Sequence, residues 1–221
     1  MTESFDDVTN QEVLADVQKA LDALPSFAPD VGIDIQTLAP RWTPHDIDVQ
    51  FNKVLRNRWG PFFSDAARQY GFDVSLILGI ASRETNIEQI VGDKGHGRGI
   101  MQIDDRAFPD FINSGQWKDV RLNIAFGAYV LRTAYQTIAR GQGLTLTASI
   151  RGQRLSYVGA RLDQDGLLRT AVSAYNCGGA AYYWMSTKGD PDLGTTGHDY
   201  SHDVMLRGAE FYKLLGNGQT S

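Results

Sequence analysis

Asp73-Val74-Ser75-Leu76-Ile77-Leu78-Gly79-Ile80-Ala81-Ser82-Arg83-Glu84 says more about this chain than any other dozen residues. Asp73 has the short acceptor side chain of an N-cap, and the residues after it are apolar nearly all round. A helix with no polar face must be covered from every side, so this stretch predicts a buried central helix. Its last residue breaks the pattern. At helical spacing Glu84 shares a face with Ile77, Ile80 and Ala81, and a carboxyl placed there is partly desolvated. Desolvation disfavours the charged form and raises the pKa, which a general acid working near neutral pH needs. The alternative is a helix-terminal Glu84 turned to solvent beside Arg83.

Outward from this helix, further helices are expected over 47–58 and 61–70, the second stopped by Gly71. Residues 91–104 change character, because Gly92, Gly95, Gly97 and Gly99 interrupt any helix. Ile100 to Asp104 reads as a short strand. Alternation puts Ile100, Gln102 and Asp104 on one face, with Met101 and Ile103 on the core face. Gln102 and Asp104 then project into solvent or a cleft. Asp93 precedes Lys94-Gly95 at a turn, where an aspartate commonly serves only its own backbone. Helices resume over about 123–139, 165–176 and 199–215, whereas 141–162 fits neither period. The pattern is α+β, mostly α.

The 221 residues have 42% hydrophobic and 21% charged content, the composition of an ordinary globular protein. No apolar run reaches the roughly 18 residues of a membrane span. Cys177 is the only cysteine, so no intramolecular disulfide exists. Charge is uneven. Residues 1–50 hold ten Asp/Glu against two Lys/Arg, and the rest hold sixteen against nineteen. Thr9-Asn10-Gln11-Glu12 reads as a capping box before Leu14, Val17, Leu21 and Leu24 at helical spacing, and prolines punctuate 25–45. The division expected is an acidic helical arm with a Pro-rich linker over 1–45 and a folded body over 46–221. The N-terminus shows no hydrophobic core of a secretory signal.

A desolvated acid and a glycine-rich hairpin bearing two further carboxylates suit glycoside hydrolysis, in which one carboxylic acid protonates the leaving oxygen and another carboxylate activates water. The residues also carry a family resemblance. Ser82-Arg83-Glu84-Thr85 is similar to the catalytic Ser-Arg-Glu-Ser of goose-type lysozymes. Gly92-Asp93-Lys94-Gly95-His96-Gly97-Arg98-Gly99-Ile100-Met101-Gln102-Ile103-Asp104 resembles their glycine-rich hairpin. Ala174-Tyr175-Asn176-Cys177-Gly178 resembles a block shared with lytic transglycosylases. Gly194-Thr195-Thr196 and Asp199-Tyr200-Ser201-His202-Asp203-Val204 resemble the family's C-terminal segments, and the order matches over roughly residues 50–215.

The resemblance implies a lysozyme-like fold, mostly helical, with a small antiparallel sheet beside a sugar-binding cleft. It implies Glu84 as general acid, Asp93 and Asp104 as the carboxylates that position or activate water, and Gln102, Tyr175, Asn176 and Tyr200 as cleft residues. A Tyr175–Glu84 hydrogen bond is implied as well. The expected enzyme is a muramidase that hydrolyses the β-1,4 bond between N-acetylmuramic acid and N-acetylglucosamine in the inverting mode. A lytic transglycosylase and a non-catalytic wall-binding module are the other readings. The chain departs from the family in a shorter Glu84–Asp93 spacing, in Phe108 where a histidine often binds sugar, in an insertion at 141–162, in Cys177 for alanine, and in residues 1–45.

Neither metal nor cofactor is expected. His198 and His202 have a metal-ligand spacing but no third ligand, and Cys177 reads as a small core thiol. Tyr182, Tyr183 and Trp184 read as core packing ahead of sugar stacking. Peptidoglycan glycan strands are the expected partner, with no nucleic acid; an inhibitor or immunity protein is compatible, and a monomer is expected. The expected site of action is the extracytoplasmic cell wall, reached by lysis, on a phage particle or by a signal-less secretion route.

Overall fold

The computed structural model describes residues 41–217. The helix expected after Thr9 and most of the proline-rich linker lie outside the described residues. The body begins earlier than its sequence boundary, with helix α1 at Pro44–Arg56. Thr43 and Asp46 form a capping box there, and Pro44 fills the first helical turn, where its missing N–H costs nothing. This start, three residues ahead of the expected one, was legible in Thr43-Pro44-His45-Asp46 but was masked by the neighbouring prolines.

Helix α2 (Gly60–Tyr70) ends on Gly71 at φ 70°. Helix α3 (Val74–Thr85) is capped by Asp73, whose carboxylate accepts from Ser75 N at 2.8 Å. Leu76, Ile77, Leu78, Ile80 and Ala81 are all buried, as an all-round apolar helix requires. Its most extensive partner is the last helix, α8 (Tyr200–Asn217). The two backbones approach so closely at Gly79 that a Cβ there would lie 2.6 Å from Val204 O.

Between α3 and the long helix α5 runs a three-stranded antiparallel sheet of Val91–Gly92 (β1), Gly97–Arg98 (β2) and Ile103–Asp104 (β3). Gly92 pairs with Gly97, and Gly97 with Asp104. The five-residue strand read from sequence is thus only two residues long. Gln102 takes a positive φ of 47°, and the resulting turn releases Ile100 from the Gln102 face. Ile100, Met101 and Ile103 are therefore all buried. Fully buried Asn123 pins this turn: its amide donates to Arg98 O at 3.1 Å and its carbonyl accepts from Met101 N at 2.9 Å.

A short helix α4 (Pro109–Asn113) leads to α5 (Val120–Gly141), which Asp119 caps. Residues 141–162, ambiguous by period, contain a second hairpin, Thr145–Ile150 (β4) with Gln153–Val158 (β5). Its turn residues Arg151 and Gly152 sit at φ 50° and 79°, the twist a two-residue hairpin loop needs. Arg-Gly is a weaker turn signal than Asn-Gly, and the inward residues are few, so the period was hard to see. Helices α6 (Gln164–Cys177) and α7 (Ala180–Lys188) precede α8; α7 was not foreseen. Tyr182 on α7 is buried, as expected, and donates to Ala160 O at 2.8 Å. Among the described residues no helix is long and apolar enough to cross a membrane.

Gly79→Ala should destabilise the protein by about 1–3 kcal/mol, the usual range for overpacking a filled interface. Denaturant unfolding checks this. An unchanged midpoint would mean that α3 and α8 do not need their close approach.

Candidate active site

Glu84 stands in the last turn of α3, at the floor of a cavity of about 630 Å³. The seven residues named from sequence (Glu84, Asp93, Gln102, Asp104, Tyr175, Asn176 and Tyr200) all line that cavity, although they come from α3, the hairpin, α6 and α8. Phe108, Val130 and Arg106 join them.

The apolar surroundings push the Glu84 carboxyl up to about 7, against two weaker influences that lower it, the Tyr200 hydroxyl and the Arg83 charge. Tyr200 donates a very short hydrogen bond to Glu84 Oε1. Arg83 is the next residue along, and a cation so close would ordinarily keep a carboxylate ionised. Its guanidinium is instead directed onto Asp203 at 2.8 Å and Asp199 at 2.7 Å. Asp203 also binds Arg207 at 2.7 Å and accepts from the Trp42 indole at 2.6 Å. Arg207 in turn donates to the Ser82 hydroxyl at 2.9 Å. The cations around Glu84 are thus neutralised by two aspartates, Asp199 just ahead of α8 and Asp203 in its first turn. Trp42 belongs to this network, and so the stretch assigned to the linker contributes to the body.

Tyr200 is the first residue of α8, and its position is fixed by buried Asp192. That carboxylate accepts from Ser201 N at 2.9 Å and from the Ser201 hydroxyl at 2.7 Å. It also accepts from the Ser173 hydroxyl at 2.8 Å. A carboxylate at the start of a helix satisfies otherwise orphaned N–H groups and complements the helix dipole. Nothing in the sequence period distinguishes Asp192 from the aspartates around it, and it was not singled out.

The implied Tyr175–Glu84 hydrogen bond is not formed; Tyr200 makes it instead. The Tyr175 hydroxyl donates to Met101 O at 2.8 Å, because the 99–102 turn presents that carbonyl to α6. Burial pushes the Tyr175 and Tyr200 hydroxyls well above their ordinary pKa, so both remain donors at neutral pH. Gln102 donates to Gly99 O at 2.8 Å, and Asn176 accepts from Thr196 N at 3.0 Å. Both are tied to the backbone while facing the cavity.

Asp93 and Asp104 share one guanidinium that the sequence reading missed. Arg106 reaches Asp104 at 2.6 Å and Asp93 at 2.9 Å. Its hydrogen bonds hold the Asp104 carboxyl below its usual range. The signal available was Asp104-Asp105-Arg106, with an arginine two residues beyond the strand-end aspartate. The site therefore holds one carboxyl kept neutral by burial and another kept ionised by an arginine.

Cys177 is unsuited to nucleophilic chemistry, since burial pushes its thiol up to about 12. His198 Nδ1 lies 3.3 Å from Asp192 O, and among the described residues no cluster of His, Cys, Asp and Glu could hold a metal ion.

Comparison with known proteins gives a match to the family described as Lysozyme g over residues 52–216. The chain is 27% identical to lysozyme g of Casuarius casuarius over 164 residues, which cover 72% of this chain and 75% of that protein. It is 27% identical to lysozyme G of Dromaius novaehollandiae over 72% of this chain and 68% of that one. Against lysozyme g of Gallus gallus it is 30% identical, over 64% of this chain and 57% of that one.

The raised Glu84 pKa has a consequence for stability. The folded protein holds this proton up to about pH 7, whereas an unfolded glutamate loses it near 4.5. Its contribution is fully present below pH 4.5 and is lost as pH rises through 7. Relative to Glu84→Gln, the wild-type protein should lose on the order of 3 kcal/mol of stability between pH 4 and pH 8, at about 1.4 kcal/mol per unit. Parallel unfolding curves for both proteins check this, and a constant difference across that range would contradict it.

Proposed function

The chain belongs to the Lysozyme g family, and from that premise we propose that it is a muramidase that hydrolyses the β-1,4 bond between N-acetylmuramic acid and N-acetylglucosamine with inversion. One observation carries the reading: a carboxyl with a pKa near 7 and an arginine-held carboxylate pair line the same cleft. Family membership makes the chain a glycoside hydrolase of the peptidoglycan-lytic kind; the bond and the mechanism are our inference.

Glu84, neutral below about pH 7, gives its proton to the glycosidic oxygen as that oxygen leaves the anomeric carbon. A water molecule held by Asp93 and Asp104 attacks the anomeric carbon from the opposite face and loses a proton to one of them. The new bond is carbon to water oxygen and the broken one is carbon to leaving oxygen, so configuration inverts. The sugar cation that develops in the transition state sits among the ring and amide groups of Tyr175, Asn176 and Gln102. Arg106 acts as a positioning residue, since it holds both aspartates at one place and favours the ionised form of Asp104. A lytic transglycosylase closes an anhydro ring without added water and has no use for a water-activating pair. The aspartates therefore favour hydrolysis. Action on the extracytoplasmic wall follows from the substrate.

Glu84→Gln keeps the shape and loses the transferable proton, so wall lysis should fall by about 10²–10⁴-fold in a protein that remains folded. Wild-type activity should decline above about pH 7 as Glu84 ionises. Mass spectrometry of digested peptidoglycan should give reducing-end products. Products lighter by one water would move the protein to the transglycosylase reading, and unaltered lysis by Glu84→Gln would remove Glu84 from the chemistry.

A further inference from the structure

A second cavity of about 330 Å³ opens between the end of α2 and the middle of α5. Its size is at the lower end of the roughly 300–1,000 Å³ typical of small-molecule sites. Tyr129, Arg132, Thr133 and Gln136 supply one wall. They stand at i, i+3, i+4 and i+7, a single stripe of the helix. Gln69 and Tyr70 supply the other.

The cavity is lined by two tyrosine rings, two glutamine amides and a threonine hydroxyl. Tyr129 leaves 44% of its surface exposed although it lies among other aromatics, and it meets Tyr70 edge-on at 6.1 Å. The Gln69 amide donates to the Tyr70 hydroxyl at 3.4 Å. Ring surfaces with amides and hydroxyls at their edges can cover one face of a pyranose and bond its hydroxyl and acetamido groups.

Arg132 adds a charge requirement. Arg83, Arg98, Arg106, Arg169 and Arg207 each hold a carboxylate. Arg132, like several other arginines, appears in none of the ion pairs among the described residues, and it differs from those others in that its guanidinium lies 5.6 Å over a ring, that of Tyr135. Stacking holds the planar fork while leaving its N–H groups free for a carboxylate.

The position relates this cavity to the cleft. Val130, next to Tyr129 on α5, lines the cleft, as does Phe108. Phe108 contacts Phe126 at 5.3 Å, and Phe126 contacts Tyr129 at 5.5 Å. A single ring therefore separates a cleft residue from a residue of the second cavity.

We propose that this cavity is a second binding site for a carboxylate-bearing N-acetylhexosamine unit of the glycan polymer. The proposal rests on the peptidoglycan reading above and deepens it. The carboxylate has two possible sources, the lactyl group of a bare muramic acid or the stem peptide of a substituted one. Holding the polymer at a second point raises the effective concentration of its bonds at the cleft. It should therefore matter for polymer and not for short oligomers.

The test is a titration of the full-length protein, with labelled tyrosine rings followed by NMR, using N-acetylmuramic acid, muramyl dipeptide and N-acetylglucosamine. The Tyr70 and Tyr129 signals should shift saturably with an acidic ligand and at least about fivefold more weakly with N-acetylglucosamine. The tighter of the two acidic ligands identifies the source of the carboxylate. Arg132→Gln should abolish the preference for the acidic ligands. Arg132→Gln and Tyr129→Ala should each slow lysis of intact cell walls by about 3–10-fold, in keeping with the loss of a second attachment, and leave cleavage of short soluble oligomers unchanged. No shift at Tyr70 and Tyr129 with any ligand, no acidic preference to lose, or equal losses on walls and oligomers would overturn the proposal. If the wild-type protein cut no glycan at all, the muramidase reading would fall, while the tyrosine shifts would still decide the site.

Discussion

A buried carboxyl beside a cation stays protonated at neutral pH only if desolvation outweighs that positive charge. Here the nearest positive charge is the adjacent residue. Arg83 follows Ser82 and precedes Glu84, and the structure turns it onto Asp199 and Asp203. That diversion leaves the neutral Tyr200 hydroxyl as the hydrogen-bond donor to Glu84. Burial of an ion network with several members is costly unless each charge is matched. In this one Asp203 has Arg83, Arg207 and the Trp42 indole as partners, and these outweigh the burial that would raise its pKa.

Both the network and the acid depend on how α3 meets α8. The network joins the polar side of α3 to the first turns of α8, and Gly79 permits the separation at which its hydrogen bonds form. Asp192 sets where α8 begins and so places Tyr200. On the other side, Thr85 donates from the end of α3 to Ile100 O at 2.9 Å, and Asn123 holds the same turn from α5. The hairpin with Asp93 and Asp104 is thereby fixed relative to Glu84 by buried polar contacts. These are demanding to satisfy but give definite geometry.

Much of this could be read from the chain. The buried helix followed from its apolar residues, because a helix with no polar face leaves few options, whereas the pattern alone left Glu84 open between the interior and solvent. The glycine-rich hairpin was evident, but the extent of its third strand was not. Alternation assumes extended backbone, and the positive φ of Gln102 breaks that assumption and sends Ile100 inward. The partner of Glu84 was misassigned for a similar reason. Whether Tyr175 or Tyr200 reaches the carboxyl depends on how α6 and α8 pack on α3, which no local pattern encodes. Arg106 and Asp192 went unnoticed since their partners lie across turns whose shape the sequence does not state. The 145–158 hairpin was hidden by a short period and a modest turn signal.

Glu84 carries a proton at a pH where a solvated glutamate would not. Carbon-13 labelling of glutamate side chains, with Glu84 assigned by its loss in Glu84→Gln, reads the titration of this carboxyl directly in the folded protein. The structure predicts a midpoint near 7, as burial outweighs both Tyr200 and Arg83. A midpoint near the ordinary 4.5 would mean that Arg83 or water reaches the carboxyl, and would contradict Glu84's role as the general acid.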